Sequence, residues 1–333
     1  MNNKRVLILG ITGQDGSYLA ESYLASGWEV HGLLRRTSTL RRERIDHLTK
    51  SYDDHSSSLN LHYSNLLDPT SFQHNLEKID PSIVINLGAQ SHVGISFENP
   101  TETFLTNSQS VLNQLEAIRH FNPDIVFYQA GTSEMFGGLL GREILNEEST
   151  FNPKSPYGVS KVSAHFFSTL YRETYNLKTH NGILFNHESP RRGENFVSRK
   201  ISLAVARIFL GQQKKLHLGN ISASRDWGHA RDYVEAIRLI SESQLPGEDW
   251  VVATGENRTV EEFASCAFGV LGLDYKKHLE VNTELFRPNE VQDLVGDSAK
   301  IRDRLGWAPS VTFEELVYEM VISDLNSLQS GAN

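Results

Sequence analysis

Residues 5–16, Arg5-Val6-Leu7-Ile8-Leu9-Gly10-Ile11-Thr12-Gly13-Gln14-Asp15-Gly16, decide the fold, because a short apolar run passes directly into three glycines spaced three apart. An amphipathic segment, SYLAESYLASG, follows at residues 17–27. This order predicts a buried strand, a tight turn and a helix whose N-terminal N–H groups can approach a pyrophosphate. Glycines alone often only end strands, but between a strand and a helix the pattern favours a dinucleotide-binding turn. Gln14 and Asp15 suit a ligand contact and a helix cap equally well.

Short runs rich in Val, Ile and Leu alternate with helical patterns through the first half of the chain. Strands that are apolar on both faces and alternate with helices indicate a parallel sheet covered on both sides. We therefore predict an α/β fold, with a Rossmann-type doubly wound sheet over residues 1–185. A smaller, mixed α/β substrate domain is expected over residues 186–330, where the alternation weakens. The run DWVVATG (residues 249–255) resembles another buried strand, so the chain should return to the main sheet around residues 226–255.

The composition is that of an ordinary globular chain of 333 residues. Its net charge of −9, from 41 acidic and 32 basic residues, disfavours an overall nucleic-acid-binding surface. The one cysteine, Cys266, fits a reducing compartment, and the apolar run Val6–Leu9 is too short for a signal peptide or a membrane span. We expect a cytoplasmic protein with no membrane partner. The 13 histidines have no metal-ligand spacing, so no metal site is predicted.

Five arginines cluster after the predicted second strand: Arg35, Arg36, Arg41, Arg42 and Arg44. That strand should end at the adenosine ribose, where an acid favours NAD and arginine favours NADP. A solvated basic loop and a nucleic-acid patch are alternatives, but guanidinium groups beside a ribose bind a phosphate. The cluster therefore predicts NADP, with Arg35 and Arg36 at its 2′-phosphate. The other three arginines exceed what one phosphate needs, so some are expected at a subunit contact.

A candidate base for alcohol oxidation opens the helical segment that begins YGVSK at residue 157. Tyr157 and Lys161, at i and i+4, share one helix face. Because the pKa of tyrosine is ordinarily about 10, a base near neutrality needs a decrease of about 3 units, or about 4 kcal/mol. We expect the Lys161 ammonium and an oxidised nicotinamide to supply it. Together with Thr132, which follows the predicted strand DIVFYQA, the pair predicts a hydride-transfer site.

Glu134 follows Thr132 in the stretch GTSEMFG, residues 131–137. Hydride transfer alone does not need a carboxylate at this place. Glu134 is therefore either a solvated loop charge or a base that removes a proton in addition to the hydride.

With these motifs the chain resembles the extended short-chain dehydrogenase/reductase superfamily and, within it, the GDP-mannose 4,6-dehydratase family. The resemblance runs from Val6 to about Leu325 and includes NLGAQSHVGISFENP, TSEMFG, NHESPRRGENFVSRKI and FRPNEVQDLVGD. The family reaction oxidises the sugar at C4, eliminates water across C5 and C6, and returns the hydride to C6. The resemblance implies that Tyr157 is the base at the C4 hydroxyl and Thr132 its hydrogen-bond partner. Glu134 would take the C5 proton and help protonate the departing C6 hydroxyl.

The resemblance also implies the binding positions, with a GDP-sugar favoured over UDP or dTDP sugars by the FRPNE element. Glu290 suits guanine, because a carboxylate can accept two hydrogen bonds from the base. The implied NADP positions are Gly10, Thr12, Gly13, Gln14, Asp15, Gly16, Arg35, Arg36, Asn65, Leu66, Leu87, Gly88, Ala89, Gln90, Ser91, Tyr157, Lys161, His187 and Arg192. The implied substrate positions are Ser91, Glu134, Asn186, Val197, Lys200, Gly219, Arg225, Arg287 and Glu290.

Three departures from the family pattern are Asn65, Gly131 and Glu102, where the family has an aspartate, usually a serine, and in some members a tyrosine. They remove no chemistry but leave room for a different hexose or a heptose. Two alternatives remain: a sister enzyme for another nucleotide sugar, and a non-catalytic NADP-binding sensor on the same fold. The family's arginine-rich loop reaches a neighbouring subunit, so we expect a homodimer at least and favour a tetramer.

Overall fold

The structure, a computed structural model, describes residues 4–35, 42–49, 59–138, 144–286, 289, 291 and 293–331. Arg36, Arg41, Arg287 and Glu290, to which the sequence assigns roles, lie outside the described residues. The strands are β1 (Arg5–Leu9), β2 (Glu29–Leu34), β3 (Leu59–Tyr63), β4 (Ile83–Asn86), β5 (Val126–Ala130), β6 (Thr179–Leu184), β7 (Asn186–Glu188), β8 (Leu216–Leu218), β9 (Ser224–His229), β10 (Asp249–Val252), β11 (Asn257–Thr259) and β12 (Leu279–Val281).

Helices pack on both faces of the main sheet, and others form an apolar cluster in the C-terminal half of the chain. A π-helical turn, Leu105–Gln109, lies between the fourth and fifth of them. The helices are α1 (Gln14–Ala25), α2 (Pro69–Ile79), α3 (Val93–Glu98), α4 (Pro100–Phe104), α5 (Ser110–Phe121), α6 (Pro156–Tyr175), α7 (Val197–Phe209), α8 (Ala230–Glu242), α9 (Val260–Val270), α10 (Ala299–Leu305) and α11 (Phe313–Ser330).

The main sheet has seven strands in the order β10-β6-β5-β4-β1-β2-β3, and every pair in it is parallel. Helices α1 and α8 cover one face, and α2, α5 and α6 cover the other, each over its own apolar cluster. This is the doubly wound α/β architecture that the sequence predicts, and the fold prediction is confirmed. The carboxyl ends of β1, β4, β5 and β6 meet at one edge, where ligands bind in such folds.

The C-terminal half contributes to both parts of the molecule. Strand β10 pairs with β6 and completes the main sheet, whereas β9 pairs with β7 and β11 in a separate three-stranded sheet. A third apolar cluster joins α7, α9 and α11 around Trp227 and Phe263. The division at residues 185 and 186 stays a prediction. Among the described helices, none combines the length and apolarity needed to cross a membrane.

Candidate active site

One cavity of about 740 Å³ opens at the carboxyl edge of the main sheet. Its wall combines the turn after β1, the segments after β4 and β5, the start of α6, and residues of β7, α7 and β9. Most of the positions expected from the sequence meet here. Those on the wall are Gly10, Thr12, Gly13, Gln14, Asp15, Gly16, Leu87, Gly88, Ala89, Ser91, Thr132, Glu134, Tyr157, Lys161, Asn186, His187, Arg192, Val197, Lys200, Gly219 and Arg225.

The glycine-rich turn after β1 fits a bound dinucleotide. Gly10 has a φ of 83°, and an added Cβ at Gly16 would lie 2.3 Å from the Gly10 carbonyl oxygen. Side chains at either position are therefore excluded, which brings α1 against the turn and leaves backbone N–H groups at the cavity. Gly13 is the N-cap of α1 and has no side-chain cap. A helix N-terminus of this kind suits a pyrophosphate.

Asp15 connects the glycine-rich turn to β7 instead of capping α1. Its carboxylate oxygens lie 2.9 Å from His187 Nε2 and 2.9 Å from Gln14 Nε2. Burial opposes the charge on Asp15, but the attraction of His187 and the two hydrogen bonds lower its pKa to about 2. The His187 ring also stacks on Tyr233, with 4.6 Å between ring centroids. The sequence left Asp15 as either a ligand contact or a helix cap, and the structure shows that it does not cap α1.

The catalytic candidates meet where β5 ends and α6 begins. The Ser155 hydroxyl accepts a hydrogen bond from Gly158 N at 3.0 Å, which starts α6 and places Tyr157 in its first turn. An added Cβ at Gly158 would lie 2.9 Å from the Glu134 carbonyl oxygen, so glycine lets this turn pack on the Glu134 segment. Glu134 N in turn donates to Thr132 Oγ1 at 3.3 Å. Tyr157, Thr132 and Glu134 consequently border one region of the cavity.

In the chain alone Tyr157 is less acidic than an ordinary tyrosine, and the expected joint effect of Lys161 and an oxidised nicotinamide stays a prediction. Burial and the charge of Glu134 raise the pKa of Tyr157 to about 12, although the Thr132 hydrogen bond and Arg192 act in the opposite direction. Lys161 Nζ donates to the Ala130 carbonyl at 2.9 Å and lies 6.0 Å from the Tyr157 ring centroid. Burial lowers the pKa of Lys161 to about 8.

Arg192 is held at the cavity by a buried carboxylate. Its Nε lies 2.9 Å from Glu188, and its guanidinium stacks 3.7 Å above the centroid of the Phe196 ring. The Glu188 carboxylate also accepts a 2.5 Å hydrogen bond from Ser198. Arg199 supports the same loop by donating to the main-chain oxygens of Pro190 and Arg192.

Arg199 itself is fixed by the C-terminal helix. Its Nη2 lies 2.6 Å from the fully buried Asp324 carboxylate of α11, which also accepts from Ser202. The position of Arg192 therefore depends on α7 and α11 as well as on its own loop.

The remaining predicted positions lie off the cavity wall. Arg35 is exposed, and Gln90 turns its side-chain amide toward Thr103 and the His92 carbonyl. The Asn65 side-chain oxygen accepts from Leu67 N at 3.0 Å. Leu66 packs near Gly88, behind the wall. Their cofactor roles stay predictions.

Several wall residues were not expected from the sequence. Three of them, Glu188, Arg191 and Phe196, lie within the segment NHESPRRGENF, residues 186–196. The density of charged and aromatic residues in this segment could have indicated that it borders the site. Arg44, one of three arginines of which some are expected at a subunit contact, donates to the Arg191 and Thr12 carbonyl oxygens of its own chain. The subunit contact stays a prediction. Among the described residues no cluster of His, Cys, Asp and Glu could hold a metal ion.

Comparison with protein families gives one match over most of the chain: residues 7–320 match the family described as GDP-mannose 4,6 dehydratase. GDP-mannose 4,6 dehydratase 1 of Arabidopsis thaliana is 50% identical over 327 residues, covering 97% of this chain and 90% of the relative. The GDP-mannose 4,6 dehydratase of Homo sapiens is 44% identical, covering 98% and 93%.

Solved structures with the same fold include nucleotide-sugar enzymes. UDP-glucose 4-epimerase of Thermus thermophilus, in complex with NAD, aligns with a TM-score of 0.83 and 26% identity, covering 96% of this chain and 98% of that one. DesIV, a dTDP-glucose 4,6-dehydratase of Streptomyces venezuelae with NAD bound, aligns with a TM-score of 0.85 and 22% identity, covering 98% of both.

Proposed function

The chain belongs to the GDP-mannose 4,6-dehydratase family, and we propose that it is a hydro-lyase that converts GDP-D-mannose to GDP-4-dehydro-6-deoxy-D-mannose with bound NADP. The observation that carries this proposal is the presence of Thr132, Glu134, Tyr157 and Lys161 on the wall of one cavity with the glycine-rich turn. The family resemblance seen in the sequence is confirmed by the match over residues 7–320.

The cofactor would be held by the glycine-rich turn and by the segment after β4. Gly10, Gly13 and Gly16 leave space and N–H groups for a pyrophosphate, and Leu87 to Ala89 border the same cavity. When bound, the nicotinamide supplies a hydride acceptor for C4, a hydride donor for C6 and, when oxidised, a positive charge. NADP rather than NAD is proposed from the arginines that follow β2.

Tyr157 is proposed as the base that takes the proton of the C4 hydroxyl. Thr132 Oγ1 accepts from the Glu134 amide, which leaves its own hydrogen for the Tyr157 oxygen and stabilises a phenolate. Lys161 is proposed to hold the end of β5 through Ala130 and to keep a second positive charge near the reacting centre.

Glu134 is proposed as the acid and base of the elimination. A ketone at C4 makes the C5 hydrogen acidic, and a carboxylate at the cavity wall is a competent base for it. The proton taken from C5 would pass through Glu134 to the C6 oxygen, which departs as water. Return of the hydride to C6 would require a proton at C5, which offsets the one that Tyr157 takes from the C4 hydroxyl. The C4 ketone remains, one water is lost, and atoms and electrons balance.

The guanosine diphosphate is proposed to occupy the side of the cavity formed by the C-terminal half. Lys200, Arg225 and Arg192 supply positive charge for a diphosphate there, next to Asn186, Val197 and Gly219. Residues 1–185 with β10 would then serve the cofactor, and residues 186–330 the nucleotide sugar.

A dehydratase for another GDP-sugar, such as a GDP-manno-heptose, is the second candidate, because Asn65, Gly131 and Glu102 differ from the residues found at these positions in the family. A non-catalytic NADP sensor is disfavoured by the complete Thr–Glu–Tyr–Lys set. Incubation of the purified protein with a panel of GDP-sugars, followed by mass spectrometry, tests all three. GDP-mannose should give a product lighter by one water, whereas a product from a heptose alone, or no product, would contradict the proposal.

We also propose that the protein is a homo-oligomer in the cytoplasm, a dimer at least and a tetramer by preference. Val159, Phe166 and Leu170 lie on one face of α6 and are 49%, 58% and 50% exposed. Their spacing of seven and four residues makes a continuous apolar stripe, which favours helix-to-helix association with a second copy. The single cysteine supports a reducing compartment.

A further inference from the structure

The guanidinium of Arg192 is held on two sides by other residues of the cavity wall. Its Nε lies 2.9 Å from the carboxylate of Glu188, a side chain that is 1% exposed, and its Cζ lies 3.7 Å from the centroid of the Phe196 ring. Across the part of the chain that the structure describes, neither Nη1 nor Nη2 of Arg192 donates a hydrogen bond. Because Arg192 borders the cavity, these two terminal nitrogens are available to a ligand.

The two neighbouring arginines use their guanidinium groups within the chain instead. Arg191 donates through Nη1 to Ser17 at 3.0 Å and through Nη2 to Glu21 at 2.6 Å. Arg199 donates to α11 and to main-chain oxygens of the preceding loop, as described above. Of these three described side chains, Arg192 is therefore the one that keeps both terminal nitrogens for another partner.

Phe196 reaches Arg192 from a backbone that hydrogen bonds fix. It is the N-cap residue of α7, where its carbonyl oxygen accepts from Lys200 N at 2.8 Å and its own N–H donates to the Gly193 carbonyl oxygen at 3.1 Å. The ring of His92, from the segment after β4, lies 5.7 Å from the Phe196 ring between centroids. The Phe196 ring thus contacts both the segment proposed to border the cofactor and the arginine of the C-terminal half.

An aromatic ring against a guanidinium can prepare it for a ligand. The attraction between a cation and a ring face is stronger where water is excluded, and the Arg192 side chain is only 18% exposed. A stacked ring also restricts rotations that a long arginine side chain would otherwise lose on binding. With Glu188 on one edge and Phe196 on one face, the free edge of Arg192 matches a phosphate group, to which it can donate two hydrogen bonds.

We propose that Phe196 is a positioning residue: together with Glu188 it holds Arg192 so that Nη1 and Nη2 bind the diphosphate of a nucleotide in the cavity. The inference rests on the proposed function, in which the GDP-sugar and the dinucleotide both carry such a diphosphate. Phe196 itself touches no reacting atom in this role. Its contribution to binding therefore exists only while Arg192 is present.

A double-mutant cycle separates this role from ordinary packing of the wall. In calorimetric titrations of the full chain with GDP and with NADP⁺, Phe196→Leu should weaken at least one of the two ligands about three- to thirtyfold. In the Arg192→Gln background, Phe196→Leu should cause no further loss for that ligand. Phe196→Tyr, which keeps the ring, should bind like the wild type.

Tyr175→Leu is the matched control. Its ring lies 4.8 Å from the Cζ of Arg119 at the end of α6, and neither residue borders the cavity. Loss of a ring beside an arginine at that distant place should leave both titrations unchanged. Circular dichroism confirms the fold of each variant, and Phe196→Met replaces Phe196→Leu if the latter fails to fold.

The two ligands identify the source of the diphosphate, because a loss for GDP assigns Arg192 to the sugar nucleotide and a loss for NADP⁺ assigns it to the dinucleotide. An equal effect of Phe196→Leu with and without Arg192 would make Phe196 a packing residue and overturn the proposal, as would unchanged binding of both ligands. A wild type that binds both nucleotides but does not dehydrate GDP-mannose would contradict the proposed function alone, and one that binds neither would overturn both.

Discussion

The Nε2 atom of His187 lies 2.9 Å from a carboxylate oxygen of Asp15, although 172 positions separate the two residues in the chain. His187 Nδ1 lies 2.7 Å from the Phe185 carbonyl oxygen, which can only accept, so Nδ1 carries a hydrogen. Burial opposes a charge on the ring, but Asp15 raises the pKa of His187 above its ordinary value. An imidazolium that donates from both nitrogens explains this geometry, and it ties the glycine-rich turn to β7.

Removing the Asp15 charge tests this ion pair. Asp15→Asn should lower the free energy of unfolding by about 1–3 kcal/mol at pH 6. The loss should shrink as the pH rises, because a raised histidine pKa adds stability that is complete below about 6.5 and disappears above the folded-state pKa. Urea unfolding at pH 6 and pH 9 measures the difference, with Asp124→Asn, from an exposed pair with Lys178, as control. An equal loss at both pH values would contradict the imidazolium.

The two halves of the reaction should separate by mutation. Tyr157→Phe should prevent oxidation at C4, whereas Glu134→Gln should permit oxidation and stop at elimination. Each should reduce product formation about a hundred- to ten-thousandfold, the usual contribution of a general acid or base. Single-turnover absorbance at the reduced nicotinamide band distinguishes them, because only Glu134→Gln should show a lasting signal. Normal turnover by Glu134→Gln would refute its catalytic role.

Turnover by the wild type should be redox-neutral. The hydride that leaves C4 returns to C6 of the same molecule, so reduced cofactor should not accumulate while GDP-mannose is consumed. Absorbance of NADPH, followed beside product formation with substoichiometric NADP⁺, checks this. Reduction of all the added NADP⁺, with consumption of GDP-mannose stopping at that point, would identify a simple dehydrogenase.

Acid should destabilise the protein through His180. Burial and the charge of Arg172 lower its pKa to about 4. Nδ1 accepts hydrogen bonds from Glu248 N and Trp250 Nε1, which requires a neutral ring nitrogen there. A folded pKa below the ordinary 6.5 gives stability that is complete above pH 6.5 and is lost as the pH falls toward 4. Between pH 7 and pH 5 the loss should be about 2 kcal/mol. His180→Gln, although less stable at pH 7, should show a correspondingly smaller decrease in urea unfolding over this interval; an unchanged pH dependence would argue against a neutral His180.

The apolar stripe of α6 should determine the oligomeric state. Phe166→Glu should convert the oligomer to smaller species in light scattering, because it places a charge at the centre of the stripe. Phe209→Glu is a matched control, since Phe209 is 48% exposed at the end of α7, away from α6. A wild-type monomer, or an unchanged mass for Phe166→Glu, would exclude this interface.

Local sequence was enough to predict the elements that depend on short-range patterns. The strand, turn and helix from Arg5 to Ala25 follow from an apolar run and glycine spacing, and the return of the chain to the main sheet at Asp249–Val252 was visible as a buried run. The residues meeting at the cavity were predicted mainly through the family resemblance, because spacing alone does not bring Tyr157 to Glu134.

Features that depend on distant partners could not be predicted in this way. The hydrogen bond from Lys161 to the Ala130 carbonyl joins α6 to the end of β5 across 31 positions of the chain. Arg44 looked like one of five similar arginines, and its inward direction is fixed by Thr12 and Arg191, which lie far from it in sequence. Such contacts follow from packing, and a linear pattern does not contain them.

The dependence of Arg199 on Asp324 has a consequence for the order of events during synthesis. The ribosome makes Asp324 125 residues after Arg199, so a growing chain already contains the Arg192 loop well before the carboxylate that anchors its support. A nascent chain that stops before α11 therefore lacks a finished cavity wall even when all seven strands of the main sheet are present. We expect cofactor capture to occur late, once translation has delivered α11, so that dinucleotide binding reports a completely folded enzyme.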